Sequence, residues 1–169
     1  MSNLGFPTFT LIGHDRGGRV YYRLALDHPK SVERLAVFDV IPILEAWSRS
    51  DARFAQTYWP WILLSQILPL PESYLIGAPE AVFHNPFGQG SFGTDILSEY
   101  VSTYRNAARV RGICEEYRGP LDTFYAKDGG PLGIWRPPRV EGQAMKGGHF
   151  FPEENPDDTA AVVKKFLAA

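Results

Sequence analysis

Apolar residues fall along the chain in short blocks separated by turn-forming residues. Phe9 to Ile12 is a β-prone apolar run closed by Gly13, the pattern of a buried strand. Arg19 to His28 spaces Val20, Leu24 and Leu26 among polar residues and stops at Pro29, so it predicts a helix. Leu35 to Val40 repeats the strand pattern and ends before Pro42. Strand, helix, strand in about 30 residues is a βαβ unit, and such units build parallel sheets. Farther on, Ile43 to Phe54 and Ile96 to Arg111 carry helical patterns. Between them, Ile67 to Gly93 is dense in proline and glycine, including Pro69, Pro71, Pro79, Pro86, Gly88 and Gly90. From Gly129 the chain is turn-rich, with Pro137 and Pro138 adjacent, and Glu141 to Met145 reads as a short strand. Pro156 opens a last helix, Asp157 to Leu167, with acids in its first turn and lysines near its end, as the helix dipole prefers.

These elements predict an α/β fold in three parts. A core over 1–42 holds strand, turn, helix and strand. A helical cap spans 43–125, and a C-terminal core spans 126–169. With 169 residues the chain is long enough for one domain with a buried core. Apolar residues at 44% and charged residues at 21% exclude a disordered chain. A formal net charge of -2 argues against nucleic-acid binding and against a polybasic membrane anchor. No apolar stretch reaches the about 20 residues of a membrane helix. Cys114 is the one cysteine, so no internal disulfide can form and a reducing compartment fits. Met1 to Gly5 has no basic, apolar leader, which points to the cytoplasm.

The chemistry concentrates at Gly13-His14-Asp15-Arg16-Gly17-Gly18. A strand runs into Gly-x-Asp-x-Gly and then into a helix. In Gly-x-Ser-x-Gly elbows the central residue sits on a strained turn, and the glycines let helix and strand approach closely. An aspartate there can attack carbon and form an ester intermediate, while the following backbone N–H faces a developing oxyanion. The plainer reading makes the segment a surface turn with Asp15 as a helix cap. The flanking strand and helix favour the elbow.

The segment Gly13 to Arg19 resembles the nucleophile elbow of the haloacetate (fluoroacetate) dehalogenases in the α/β-hydrolase superfamily. Further likenesses follow in order: Asp27-His28-Pro29 after the elbow helix, Leu35 to Pro42 as the next strand, and Trp61 to Gln66 with Leu70-Pro71-Glu72 in the cap. Cys114 to Arg118 is similar to a later cap helix, and Gly148 to Glu154 to the catalytic-histidine loop. Related epoxide hydrolases usually carry tryptophan after the nucleophile, so Arg16 favours the dehalogenase branch.

The resemblance implies roles. Asp15 displaces halide from the α-carbon, His149 activates the water that hydrolyses the ester, and Asp39 orients His149, with Asp128 as the rival acid. Arg16 and Arg19, three apart at a helix start, suit a small carboxylate; alone they would read as solvated surface charges. Trp61 and Tyr117 match donors to the leaving halide, against a plain reading as core aromatics. The family's third donor is a histidine where this chain has Pro60, which favours an easier halide, or an epoxide, ester or lactone. His14 shapes the elbow, His28 and His84 read as surface residues, and Cys114 as packing. No metal or other cofactor is needed. The expected partner is a small carboxylate substrate, and a homodimer is left open.

The family has several strands before its elbow and one more before the histidine loop, so this chain resembles a truncated member. Losing neighbours leaves Phe9 to Ile12 with an unpaired edge. Three functions therefore compete: a dehalogenating hydrolase, a hydrolase of the same fold acting on another electrophile, and an inactive remnant or a module completed by a partner chain.

Overall fold

The computed structural model describes residues 1–83, 93–127 and 139–168. Asp128, His84, the glycines and prolines at 86–90 and the turn-rich 129–138 lie outside the described residues.

Two parallel strands, β1 (Phe9–His14) and β2 (Val32–Phe38), pair in register from Phe9 opposite Val32 to His14 opposite Phe38, with an irregularity between Phe9 and Thr10. Helix α1 (Arg16–Asp27) connects them. It starts three residues earlier than the sequence pattern implies, immediately after Asp15. Its buried positions are Gly18 and Ala25, whereas Val20 faces solvent. Small residues let the helix axis come close to the sheet: a Cβ on Gly18 would lie 2.8 Å from Val40 Cγ1.

Eight more helices follow among the described residues: α2 (Ile43–Ser48), α3 (Ala52–Thr57), α4 (Trp59–Leu64), α5 (Leu70–Gly77), α6 (Pro79–Phe83), α7 (Thr94–Tyr104), α8 (Ala107–Lys127) and α9 (Phe151–Glu154), before the last, α10 (Pro156–Ala168). Both long helical patterns of the middle are broken once. Asp51 accepts from Phe54 N at 2.7 Å and starts α3. Asn106 accepts from Ala108 N and Arg109 N at 3.1 Å and starts α8. Each side chain satisfies N–H groups that have no intrahelical acceptor, so a new helix begins there. Glu141 to Met145 is not a strand. An extended segment needs a neighbour for its N–H and C=O groups, and the sheet among the described residues consists of β1 and β2.

The chain forms two compact units. The first is Met1–Arg49 with Phe124–Gln143, and the second is Ser50–Thr123 with Ala144–Ala169. The second has a core of Leu64 (α4), Leu75 (α5), Val110 and Cys114 (α8), with Val82, Tyr104, Ile113 and Tyr117 packed against it. No described helix is long and apolar enough to cross a membrane.

Candidate active site

The first unit holds Asp15, Arg16, Arg19 and Asp39. Asp15 is the single residue between β1 and α1, with φ 47 and ψ -117. A non-glycine residue there costs about 1–3 kcal/mol and persists only where its surroundings enforce it. The enforcement is visible on both sides: Asp15 N donates to Phe38 O at 3.0 Å, and Arg19 N donates to Asp15 O at 3.1 Å. Asp15 occupies the N-cap position, yet its carboxylate makes no capping hydrogen bond. The helix-cap reading of this aspartate therefore fails.

Glycine makes the turn sterically feasible. A Cβ on Gly13 would sit 2.6 Å from Gly17 C and Gly18 N. Gly18 is the second glycine that contact demands, while a Cβ on Gly17 meets nothing within 4 Å. The Gly-x-Asp-x-Gly pattern thus marks the turn correctly but credits the wrong second glycine.

Asp39 follows β2 as Asp15 follows β1. Its φ is 45, and the residues before the two aspartates, His14 and Phe38, are register partners. Both carboxylates leave the carboxyl end of the parallel pair, where open α/β sheets bind ligands. Arg16 and Arg19 are half-buried in the first turn of α1.

The second unit holds Trp61, Tyr117 and His149. Trp61 is 9% exposed on α4, one turn before the core residue Leu64, and lies edge-on to Phe54 and Tyr58. Tyr117 packs on the same core from α8. Pro60 sits in the first turn of α4, where a missing N–H costs no helical hydrogen bond. His149 precedes α9 and lies 5.1 Å, ring to ring, from Phe150.

Sequence reasoning assigned no role to an ion pair that anchors this unit. Arg118, beside Tyr117 on α8, bonds Glu72 of α5, donates to Gln66 O at 2.9 Å and reaches Glu115 Oε1 at 3.1 Å. Glu72 is 8% exposed. Burial works to raise its carboxyl, but the bond from Arg118 and that cation's charge prevail and hold it below its ordinary value. Burial first, and the Glu72 charge next, push the Cys114 thiol up to about 11. A thiol that stays protonated at neutral pH is a poor nucleophile, which agrees with packing as its role. Glu72 and Arg118 both stand in recognisable motifs, but no local signal pairs residues so far apart in the chain. Among the described residues, no group of three or more His, Cys, Asp or Glu is arranged to hold a metal.

Asp15, at positive φ between a parallel strand and its helix, has the backbone setting of the elbow that the sequence leads one to expect. The chain is 36% identical to a fluoroacetate dehalogenase from Burkholderia sp, over 99% of this chain and 66% of that protein. It is 30% identical to a soluble epoxide hydrolase from Corynebacterium sp., covering 99% and 70%. Among solved structures, a protein described as an α/β hydrolase from Nostoc sp superposes with a TM-score of 0.83 at 32% identity, covering 99% and 68%. One described as an epoxide hydrolase from Pseudomonas aeruginosa gives 0.82 at 33%, again covering 99% and 68%. No protein-family model matches the chain. The chain belongs to the α/β-hydrolase superfamily and is related to fluoroacetate dehalogenases and soluble epoxide hydrolases. It spans about two thirds of the length of these curated relatives. The dehalogenase alignment runs over 202 positions, more than the 169 residues here, so that relative carries extra residues inside the matched span.

Proposed function

We propose that the site performs hydrolysis through an aspartyl ester, with a small 2-halo acid as substrate. The observation that carries this reading is Asp15 at φ 47 on the elbow with its carboxylate unused as a cap. In the reaction, a carboxylate oxygen of Asp15 attacks the α-carbon and the halide leaves with the bonding pair. His149 takes a proton from water, whose oxygen attacks the ester carbonyl. A 2-hydroxy acid is released and Asp15 is restored. Asp39 stabilises the imidazolium formed on His149. Arg16 and Arg19 hold the substrate carboxylate with forked donors, and Trp61 and Tyr117 donate to the departing halide.

Epoxide opening by the same nucleophile is the second reading. Pro60 favours it, since a proline cannot donate to a leaving anion, and so does the identity with a soluble epoxide hydrolase. The test is halide release from bromoacetate, chloroacetate and fluoroacetate by folded protein, beside Asp15→Asn. Release from bromoacetate that Asp15→Asn abolishes is the expected result, with Pro60→His raising fluoride release relative to bromide. No release from any haloacetate, together with diol formation from an epoxide, would transfer the site to the second reading.

A further inference from the structure

We propose that Tyr100 is a positioning residue for the His149 loop, holding it to helix α7 through the carboxylate of Glu153. The inference rests on reading His149 as the base and adds the device that orients it.

Residues 139–150 form no helix or strand, so the aim of His149 depends on tertiary ties. Three lie close by. Gly148 N donates to Glu154 Oε2 at 2.6 Å, which closes the loop on the start of α9. Gly147, at φ +124, makes the turn, and a Cβ there would fall 2.7 Å from Glu154 Oε2 and 2.9 Å from Phe151 Cβ. Both ties are local. The third comes from far away in sequence: Tyr100 Oη donates to Glu153 Oε1 at 2.6 Å. The Tyr100 ring also lies 5.7 Å from Phe150, whose own ring contacts His149.

Tyr100 is itself fixed. Its ring stacks at 5.5 Å on Phe83, which is 8% exposed. Glu153 Oε2 is buried with no hydrogen-bond partner among the described residues, so Tyr100 is the side chain that satisfies this carboxylate. The bond is part-buried, so a carboxylate that loses this donor bears a desolvation cost, and α9 would shift to recover water. Burial and the neighbouring Glu153 push the Tyr100 phenol up to about 12, as expected of a donor kept protonated against a carboxylate. Simple packing of an aromatic would need none of this hydroxyl geometry.

The test compares wild type with Tyr100→Phe, Glu153→Gln and Glu153→Ala, with Ser102→Ala on the exposed side of α7 as control. The histidines are isotope-labelled, and His149 is assigned with His149→Gln. Tyr100→Phe keeps the ring stack and removes only the hydroxyl. It is expected to move the His149 ring signals and to speed Gly148 amide exchange about tenfold or more. Where halide release is measurable, it lowers kcat about tenfold with KM unchanged. Glu153→Ala behaves the same way, while Glu153→Gln, whose amide oxygen still accepts from the phenol, restores the wild-type signals. Wild-type ring signals and Gly148 exchange in Tyr100→Phe overturn the proposal. Absence of halide release in the wild type would count against the dehalogenase reading alone, because the spectroscopic arms do not need turnover.

Discussion

Gly13 and Gly17 flank Asp15 symmetrically in sequence, yet they carry different loads. Gly13 has α1 backbone where its Cβ would be, whereas Gly17 faces open space. Gly13→Ala is therefore expected to cost about 3 kcal/mol, the upper end for overpacking a site that cannot relax. Gly17→Ala should be neutral or stabilise by about 0.5–1 kcal/mol, through lower backbone entropy in the unfolded chain. Urea midpoints of the two variants decide it, and equal destabilisation would refute the asymmetry. The aspartate was legible because close glycines flank it between a β-prone run and a helix, the pattern of an elbow. Which glycine of α1 meets the sheet was not, since that depends on where α1 crosses the strands.

Helix α5 and helix α8 are joined by Glu72 and Arg118, a pair with side chains 11% and 16% exposed. Removing one partner of a buried pair strands the other charge, so Arg118→Met is expected to destabilise the protein by about 3 kcal/mol. The pair also sets an acid limit. Glu72 has a folded pKa below its unfolded value, so its contribution is present above the ordinary glutamate value of about 4.3 and is lost as pH falls through the lower folded value. Chemical denaturation between about pH 5 and pH 2 should show this loss in the wild type and a flatter profile in Glu72→Gln. Identical profiles would show that the pair is unimportant. At this scale the sequence was informative about where apolar blocks begin and end. It placed β1 and α10 nearly as observed and began β2 three residues late. It missed the breaks at Asp51 and Asn106, because one capping side chain outweighs a continuing apolar period only when its geometry is realised. It also read Glu141 to Met145 as a strand, an element that exists only with a neighbour to bond.

As a whole, the molecule spans about two thirds of the length of its curated relatives. Most β1 and β2 residues are half-buried, and Val37 is 42% exposed. Among the described residues the sheet has two strands with helix α1 packed on them, and so small a sheet has few buried contacts to resist local opening. By contrast, Leu75, Val110 and Cys114 are fully enclosed. Amide exchange should therefore be about tenfold or more faster in β1 and β2 than in α5 and α8 around that core. Equal protection would mean that the strands gain their stability elsewhere, for instance from a second chain at the sheet edge.

The sequence by itself determined the βαβ unit, the aspartate at its turn and the family, because each is written in local order: apolar runs, glycines beside an acid, and motifs in succession. Only the tertiary structure decided that Asp15 is strained rather than capping, that Gly18 rather than Gly17 meets β2, and that Glu72 pairs with Arg118 and Tyr100 with Glu153. These depend on contacts between residues far apart in the chain, and such contacts form through packing, which no local pattern encodes.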